Sequence, residues 1–237
     1  MVETVMKSDW IEETWNPVVS TLWEAPGCDP KILMVFDERA LKIPLQNTQK
    51  PMMYLVNSMG DLFYEKVPFS AIAKVFGIMA LAKRHTFQIL TKYPDQVLKF
   101  QEFLEGRWPF LFPSGLPDSE RDSNVLFDFL TDEDAGCQVS SENFPQPWPL
   151  PNVWIGTSVR GHDTLHRIDT LRSVPAVMRF VSLEEPKAGD LRPLNFEGIG
   201  LVFVGDKSER GWLSSIIDQC SAANIPCFMR EDYTGEV

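Results

Sequence analysis

The chain has 237 residues, a hydrophobic fraction of 44% and a formal net charge of −11. This length and apolar content suffice for one sizeable core, and so acidic a surface repels phosphate backbones, which disfavours direct nucleic-acid binding. No apolar run approaches the roughly 18 residues of a membrane span, and the polar N-terminus lacks the order of a signal peptide. We therefore expect a cytoplasmic protein with no membrane partner.

The first part of the chain predicts two strands separated by a loop. A weak strand is expected at about 10–15, and a stronger one, MMYLVNS, at 52–58. Between them, residues 16–31 read NPVVSTLWEAPGCDPK and carry a lone cysteine, Cys28. Because this stretch is rich in turn residues, we interpret it as a loop.

From residue 69 onward, helical and strand patterns alternate. In chain order we predict a helix at 69–84, a strand at 86–92, a helix at 94–106, a strand at 152–158, a helix at 163–174, strands at 177–183 and 200–206, a helix at 211–224 and a strand at 225–231. Most of the strands are continuously apolar, which is typical of parallel sheets. Residues 106–150 break the pattern, and we interpret them as an irregular insertion in a single domain spanning 1–237.

Alternating strands and helices predict the α/β class with a parallel sheet. The chain contains six or seven strand–helix units, which is too many for a small open sheet and slightly too few for a full barrel of eight units. We therefore predict a partial (β/α) barrel, with an open doubly wound sheet as the alternative.

Polar residues follow nearly every predicted strand, where a β/α barrel builds its working face. The candidates for ligand binding at this barrel mouth are Asn16, Asn57, Ser58, Thr91, Lys92, Ser158, Ser182 and Arg230. The candidates for acid–base catalysis are Glu184, Asp61 and Lys207, since a carboxylate near a lysine can serve as a general base. Strand ends also meet solvent and are polar for that reason alone, which is an equally weighted alternative.

The cysteines and histidines suggest no metal site of a common type. The cysteines at 28, 137, 220 and 227 are scattered and form no C-x-x-C pair, which argues against a zinc ribbon or a disulfide framework. Cys220 and Cys227 lie in apolar contexts and are interpreted as core thiols. His162 and His166 are four residues apart on a predicted helix, but no third ligand accompanies them.

Several segments resemble successive blocks of one protein family. They are NSMGDLFYEKVP (57–68), HTFQILTKYPDQV (85–97), LPNVWIGTSV (150–159), VPAVMRFVSLEEP (174–186), LVFVGDKS (201–208) and DQCSAANIPCFMRE (218–231). The family is borne by phages and prophages, has no known function and is related to radical S-adenosylmethionine (SAM) enzymes. The resemblance implies a TIM-like barrel in a host bacterial cytoplasm and, in relatives, an iron–sulfur cluster and SAM.

The opening segment departs from that family's cluster motif. Relatives carry Asn-Pro-Val-Thr-Gly-Cys, six residues, Cys, two residues and Cys-Tyr, and the three cysteine positions fall here on Thr21, Cys28 and Lys31. Iron–sulfur clusters need thiolate ligands, which threonine and lysine do not supply. The chain thus resembles a degenerate member with Cys28 as a remnant, and we expect the cluster and SAM to have been lost.

These observations lead to a binding function as the first hypothesis. A catalytically degenerate barrel would bind a small ligand or, through its acidic surface, a host protein with a basic surface, in an anti-defence or inhibitor role. The alternative is an enzyme that uses the polar barrel mouth for non-standard radical SAM chemistry or for acid–base chemistry.

Overall fold

Nine strands are present in the parts of the chain that the computed structural model describes, which are residues 12–23, 31–46, 50–58, 60–105, 148–184, 194–205 and 210–230. They are β1 (Glu12–Trp15), β2 (Val18–Trp23), β3 (Lys31–Phe36), β4 (Met53–Val56), β5 (Thr86–Thr91), β6 (Val153–Val159), β7 (Met178–Leu183), β8 (Leu201–Gly205) and β9 (Cys227–Arg230). Seven of them form one sheet in the order β1-β4-β5-β6-β7-β8-β9, with every neighbouring pair parallel. The sheet curls into a half-barrel, which confirms the α/β class, the parallel sheet and the partial barrel.

Four of the described helices lie where the periodicity predicts them, at 69–81, 94–104, 166–173 and 210–222, whereas two short helices at 38–41 and 43–46 were not predicted. In chain order the described helices are α1 (Glu38–Leu41), α2 (Ile43–Gln46), α3 (Phe69–Leu81), α4 (Pro94–Leu104), α5 (His166–Ser173) and α6 (Arg210–Ala222), with a 3-10 turn at His162–Thr164. Proline at the first position of α4 suits a helix start because its missing N–H has no intrahelical partner there. Most of the predicted insertion, residues 106–147, lies outside the described residues.

The segment predicted as a loop at 16–31 contains a strand instead, so that prediction is wrong. β2 and β3 pair antiparallel, with Val18 opposite Phe36 and Trp23 opposite Lys31. Both strands are runs of apolar and β-branched residues, VVSTLW and KILMVF, and the turn residues lie between them. The resulting hairpin is attached to the carboxyl end of β1, where the Asp37 N–H donates to the Pro17 carbonyl at 2.9 Å.

One face of the sheet packs against the helices. Its buried strand residues include Tyr54, Ile89 and Ile155, and they form a single core with helix residues such as Phe76 and Ile168. Each fully buried aliphatic or aromatic side chain contributes about 1.5–3 kcal/mol through the loss of apolar surface from water. This face therefore supplies most of the driving force for folding.

The opposite, concave face of the half-barrel has its own apolar cluster. In the described residues this cluster consists of strand side chains alone: Phe180, Leu201 and Phe203, with Leu90, Trp154, Met178 and Phe228 packed against them. Successive side chains of a strand point to opposite faces. Ser158 and Ser182 lie two or four residues beyond members of this cluster, so they are on the same concave face, at its carboxyl edge.

Gly156 is required by the packing of the concave face. A Cβ atom at this position would lie 2.3 Å from Cε2 of Phe180, whose ring covers the glycine from the neighbouring strand. We expect Gly156→Ala to lower the free energy of unfolding by about 1–3 kcal/mol, because the ring must leave its rotamer or the strands must separate. Urea unfolding measures the change.

A matched control for this prediction is Gly205→Ala, whose Cβ would first meet the Leu183 carbonyl at an ordinary 3.7 Å. The double variant Gly156→Ala with Phe180→Leu should recover part of the loss, since the two residues are in contact. Equal stability of Gly156→Ala and the wild type would contradict the prediction.

None of the helices that the structure describes is long and apolar enough to cross a membrane.

Candidate functional site

The described candidate residues all lie at one edge of the sheet, because parallel strands end together. Three groups occur along this edge, at the ends of β1 and β4, of β4 and β5, and of β6 and β7. Active sites of β/α barrels occupy the same edge, formed by the loops that follow the strands.

The first group joins Asn16, Asn57 and Ser58. The Ser58 hydroxyl donates to Oδ1 of Asn16 at 3.2 Å, and the Val18 N–H donates to Oδ1 of Asn57 at 3.1 Å. Asn57 has a positive φ of 58°, which asparagine tolerates better than most residues, and its N–H donates to the Trp15 carbonyl at 2.7 Å. Nδ2 of Asn57 is buried and has no hydrogen-bond partner in the described part of the chain.

The second group is built around the carboxylate of Asp61. Its Oδ1 accepts from the Thr91 hydroxyl at 2.7 Å and from the Phe63 N–H at 3.0 Å, and its Oδ2 accepts from the Lys92 N–H at 2.7 Å. The Thr91 hydroxyl oxygen in turn accepts from the Tyr93 N–H at 2.9 Å. Asp61 therefore fastens the loop after β4 to the end of β5.

The surroundings of Asp61 act on the pKa of its carboxyl in two opposing directions. Burial raises the pKa of the carboxyl above its ordinary value of 3.8, although the hydrogen bonds from Lys92, Thr91 and Phe63 act in the opposite direction. Burial and the nearby Asp61 also raise the pKa of the Tyr93 phenol. Because its oxygens already accept three hydrogen bonds, Asp61 is suited to positioning the loop rather than to receiving a substrate proton.

The third group places two hydroxyls side by side. Ser158 and Ser182 are directly opposite each other on β6 and β7, and both are almost fully buried. Oγ of Ser158 has no hydrogen-bond partner among the residues described. The Ser158 carbonyl accepts from Nη1 of Arg167 at 2.9 Å, which fixes α5 to the end of β6.

Glu184 forms an ion pair across the ends of β6 and β7. Its Oε2 accepts from Nε of Arg160 at 3.0 Å and lies 2.9 Å from Nη2 of the same guanidinium. The Arg160 side chain is 63% exposed and that of Glu184 is 28% exposed, so the pair contributes no more than about 1 kcal/mol to stability. Lys207, the lysine of the predicted acid–base set, lies outside the described residues; within them, the carboxylate of Glu184 is paired with Arg160.

Arg230 ends β9, where its backbone is opposite Gly205 of β8. This places its backbone at the same carboxyl edge as the serines, two strands away from Ser182. Strand order along the edge thus separates Arg230 from the groups on β4 and β5.

The segment that resembles a cluster motif does not supply the ligands of a cluster. Thr21 lies in β2 opposite Leu33, and Lys31 begins β3 opposite Trp23, so both positions are in an antiparallel ladder and carry no thiol. Cys28 falls outside the described residues. Two of the three motif positions therefore do not fit a four-iron centre held by three thiolates.

His162 and His166 do not share one helix, contrary to the prediction. His162 is in the 3-10 turn and α5 begins at His166. The hydroxyl oxygen of Thr164 accepts from the N–H groups of Arg160 and Gly161 at 3.0 and 3.2 Å, which holds the separate turn. In the part of the chain that is described, no group of histidine, cysteine and acidic residues is arranged to hold a metal ion.

Sequence reasoning missed two residues that shape the edge, Arg167 and Tyr93. Arg167 donates to the carbonyl of Ser158, nine residues earlier in the chain, and no local sequence pattern predicts such a contact. The Tyr93 ring packs against Tyr64 with ring centroids 5.8 Å apart. Tyr93 directly follows Thr91 and Lys92, two residues predicted to lie at the end of a strand. This position could have indicated that Tyr93 belongs to the same edge of the sheet.

Comparison with known proteins yields a family and no function. A family model described as Protein of unknown function (DUF5131) matches residues 31–235. This range includes β3 to β9 and every candidate residue except Asn16 and Cys28. No curated protein and no solved structure matches the chain.

Proposed function

The chain belongs to the DUF5131 family, whose description gives no function, and we propose from its site that the protein acts by binding a small ligand at the barrel mouth. One observation carries the proposal: Oγ of Ser158 and Nδ2 of Asn57 are buried at this edge without a hydrogen-bond partner in the described residues. An unsatisfied buried polar group costs about 1–3 kcal/mol. A ligand that bonds to these atoms recovers that cost.

The surface below these groups favours a ligand with an apolar or planar body. Trp154 and Leu90 are half-buried and pack against the apolar cluster of the concave face. Ligand sites commonly combine an apolar lining with a few placed polar groups, and this edge offers hydroxyls and an amide. The proposed ligand therefore carries a flat apolar part and a neutral polar end.

Acid–base catalysis has weaker support from the geometry. Asp61 accepts hydrogen bonds on both oxygens, and Glu184 is paired with Arg160. A general base must be able to reach the proton that it abstracts, and both carboxylates are engaged elsewhere. The enzyme alternative then depends on Lys207 and on other residues that lie outside the described parts of the chain.

The resemblance to radical SAM enzymes completes the proposal. We take the protein to be a phage or mobile-element barrel that has lost the cluster and retained the mouth, because two of its three cluster positions lack a thiol. SAM and its demethylated product, S-adenosylhomocysteine, are the matching probes. Both have a flat base and neutral ribose hydroxyls that can meet these groups, and a charged amino-acid end that extends beyond them.

A host protein with a basic surface is the second candidate partner. The observation that favours it is the net charge of −11, which attracts basic surfaces and speeds association at low salt. An inhibitor or anti-defence role would act through such a contact.

Titration calorimetry tests the small-ligand proposal directly. We expect S-adenosylhomocysteine or SAM to bind wild-type protein, and Ser158→Ala to weaken binding by about tenfold, the effect of one lost hydrogen bond. The matched control is Ser173→Ala, which removes an exposed hydroxyl at the end of α5. Equal affinities in wild type and Ser158→Ala, or no binding of either probe, contradict the assignment of the site.

Anaerobic incubation with iron and sulfide separates the binding barrel from a radical enzyme. The proposal predicts no stoichiometric iron after desalting, in wild type and in Cys28→Ala alike. About four irons per chain, lost in Cys28→Ala, would support the enzyme alternative and overturn the loss of the cluster.

A further inference from the structure

A histidine is buried at the amino edge of the sheet, on the side opposite the candidate site. His85 directly precedes β5 and is 1% exposed. The Met52 N–H, at the entry to β4, donates to Nδ1 of His85 at 3.0 Å, and Nε2 of the same ring lies 3.0 Å from the Pro44 carbonyl oxygen in α2. The ring therefore joins α2 to the sheet through a hydrogen bond at each nitrogen.

The backbone and the neighbouring rings fix the position of His85. Its N–H donates to the Ala82 carbonyl at 3.0 Å, just after α3, and its carbonyl accepts from Nδ2 of Asn152 at 3.2 Å, just before β6. The Tyr54 ring meets the imidazole edge-on, with ring centroids 5.3 Å apart. His85 is thus a junction between α2, the end of α3 and the entries to β4 and β6.

The two ring contacts admit a single protonation state. The Met52 N–H is a donor, so Nδ1 must supply a lone pair, and the proton of the neutral ring must be on Nε2, where it donates to the Pro44 carbonyl. A doubly protonated imidazolium has no lone pair with which to accept. Protonation of Nδ1 would therefore set two donors against each other and leave the buried Met52 N–H unpaired, which costs free energy.

The charged groups around this junction do not compensate an imidazolium. Tyr54 is a titratable residue in ring contact, and its phenol carries no negative charge at acid pH. The charged residues closest in sequence to the junction are all cationic: Lys42 before α2, Lys50 before β4, and Lys83 and Arg84 after α3. None of these groups neutralises a positive charge on the ring, so burial opposes its protonation.

We propose that His85 is an acid-sensitive latch, which holds the α1–α2 segment (Glu38–Gln46) and the entry to β4 together near neutral pH and releases them when the ring takes up a proton. The other end of the segment is held separately, because Nε1 of Trp15 donates to the Ala40 carbonyl at 2.7 Å. Release is therefore confined to α2 and the start of β4, and it leaves the contact between α1 and β1 in place.

The sign of the pH dependence follows from these contacts. In the unfolded chain a histidine titrates at its ordinary pKa of about 6.5, whereas the fold requires the neutral ring. The unfolded state therefore binds more protons at acid pH, and the stability of the fold decreases as the pH falls below about 6.5. One proton corresponds to a rise in the unfolding constant of up to about tenfold per pH unit.

The chain has three histidines, which provides a matched control. The double variant His162→Gln with His166→Gln removes the two exposed histidines and should retain the pH dependence. Adding His85→Asn, whose Oδ1 can accept from the Met52 N–H without titrating, should abolish it. Urea unfolding from about pH 7 to about pH 5 compares the two proteins, and we expect the unfolding constant of the double variant to rise by up to about tenfold per pH unit relative to the triple variant.

Hydrogen exchange in the double variant separates local release from global unfolding. Between about pH 7 and about pH 5, after correction for intrinsic exchange rates, the amides of Met52 and Leu45 should lose protection by about tenfold, while those of β6 and β7 keep theirs. In the same protein, the ring nitrogens of ¹⁵N-labelled His85 should show the neutral Nε2–H tautomer near neutral pH. This readout does not require the His85→Asn variant to fold.

Three results would overturn the latch. The first is a proton on Nδ1 of His85 near neutral pH, and the second is an equal pH dependence of stability with and without His85. The third is protonation of the ring in the folded protein with unchanged protection of the Met52 amide.

Discussion

Replacing Asp61 with alanine is expected to lower the free energy of unfolding by about 2–4 kcal/mol. The change removes the acceptor for the Thr91 hydroxyl and for the N–H groups of Phe63 and Lys92, and it detaches the loop after β4 from β5. The variant no longer has to bury a carboxylate away from water, and the desolvation cost that it avoids offsets part of this loss. Urea unfolding at neutral pH, followed by circular dichroism, measures the change.

A double-mutant cycle with Thr91→Val tests whether the contact itself is responsible. Asp61→Ala and Thr91→Val should be less than additive by about 1 kcal/mol or more, because each removes the same hydrogen bond. Thr91→Ser keeps the hydroxyl and serves as the control. Full additivity of the two changes would contradict the assigned role of Asp61.

The same carboxyl predicts a pH dependence with a defined sign. The pKa of Asp61 is raised in the folded protein by burial, so its contribution to stability is complete below the ordinary value of 3.8. That contribution is lost as the pH rises through the higher folded pKa. The stability of wild type relative to Asp61→Asn should therefore be greater near about pH 4 than near about pH 7. A constant difference between these pH values would refute the raised pKa.

Trp15→Ala is expected to have the largest effect on stability, a loss of about 3–5 kcal/mol. The side chain is fully buried, its ring centroid lies 5.4 Å from that of Phe87, and Nε1 donates to the Ala40 carbonyl at 2.7 Å. Alanine leaves a cavity between β1 and α1 and an unpaired carbonyl. Thermal and urea unfolding should both show the loss.

Trp15→Phe separates the two contributions to this effect. It retains most of the aromatic packing and removes only the N–H donor, so a loss of about 1–2 kcal/mol is expected. An alanine variant as stable as the phenylalanine variant would show that the Trp15 ring contributes little to the packing of β1.

The main sheet could be predicted because its strands are recognisable one at a time. A run such as VWIGTSV in β6 is apolar along its whole length and is followed by a helical pattern, and these two features indicate a parallel strand. The hairpin of β2 and β3 could not be predicted in the same way. The turn residues and Cys28 between the two strands favoured a loop, although VVSTLW and KILMVF have the composition of strands.

The sequence predicted at which edge of the sheet the candidate site lies, but not which of its side chains contact one another. The sequence by itself determined that polar residues follow apolar strands, and parallel strands must bring those residues to one edge. The tertiary structure decided which of them meet: Asp61 with Thr91, Glu184 with Arg160, and Ser158 with Ser182. It also decided that Oγ of Ser158 lacks a partner in the described residues. The physical reason is that side-chain contacts depend on strand order, register and loop path, which couple residues far apart in the chain, whereas apolar periodicity is a local property of each element.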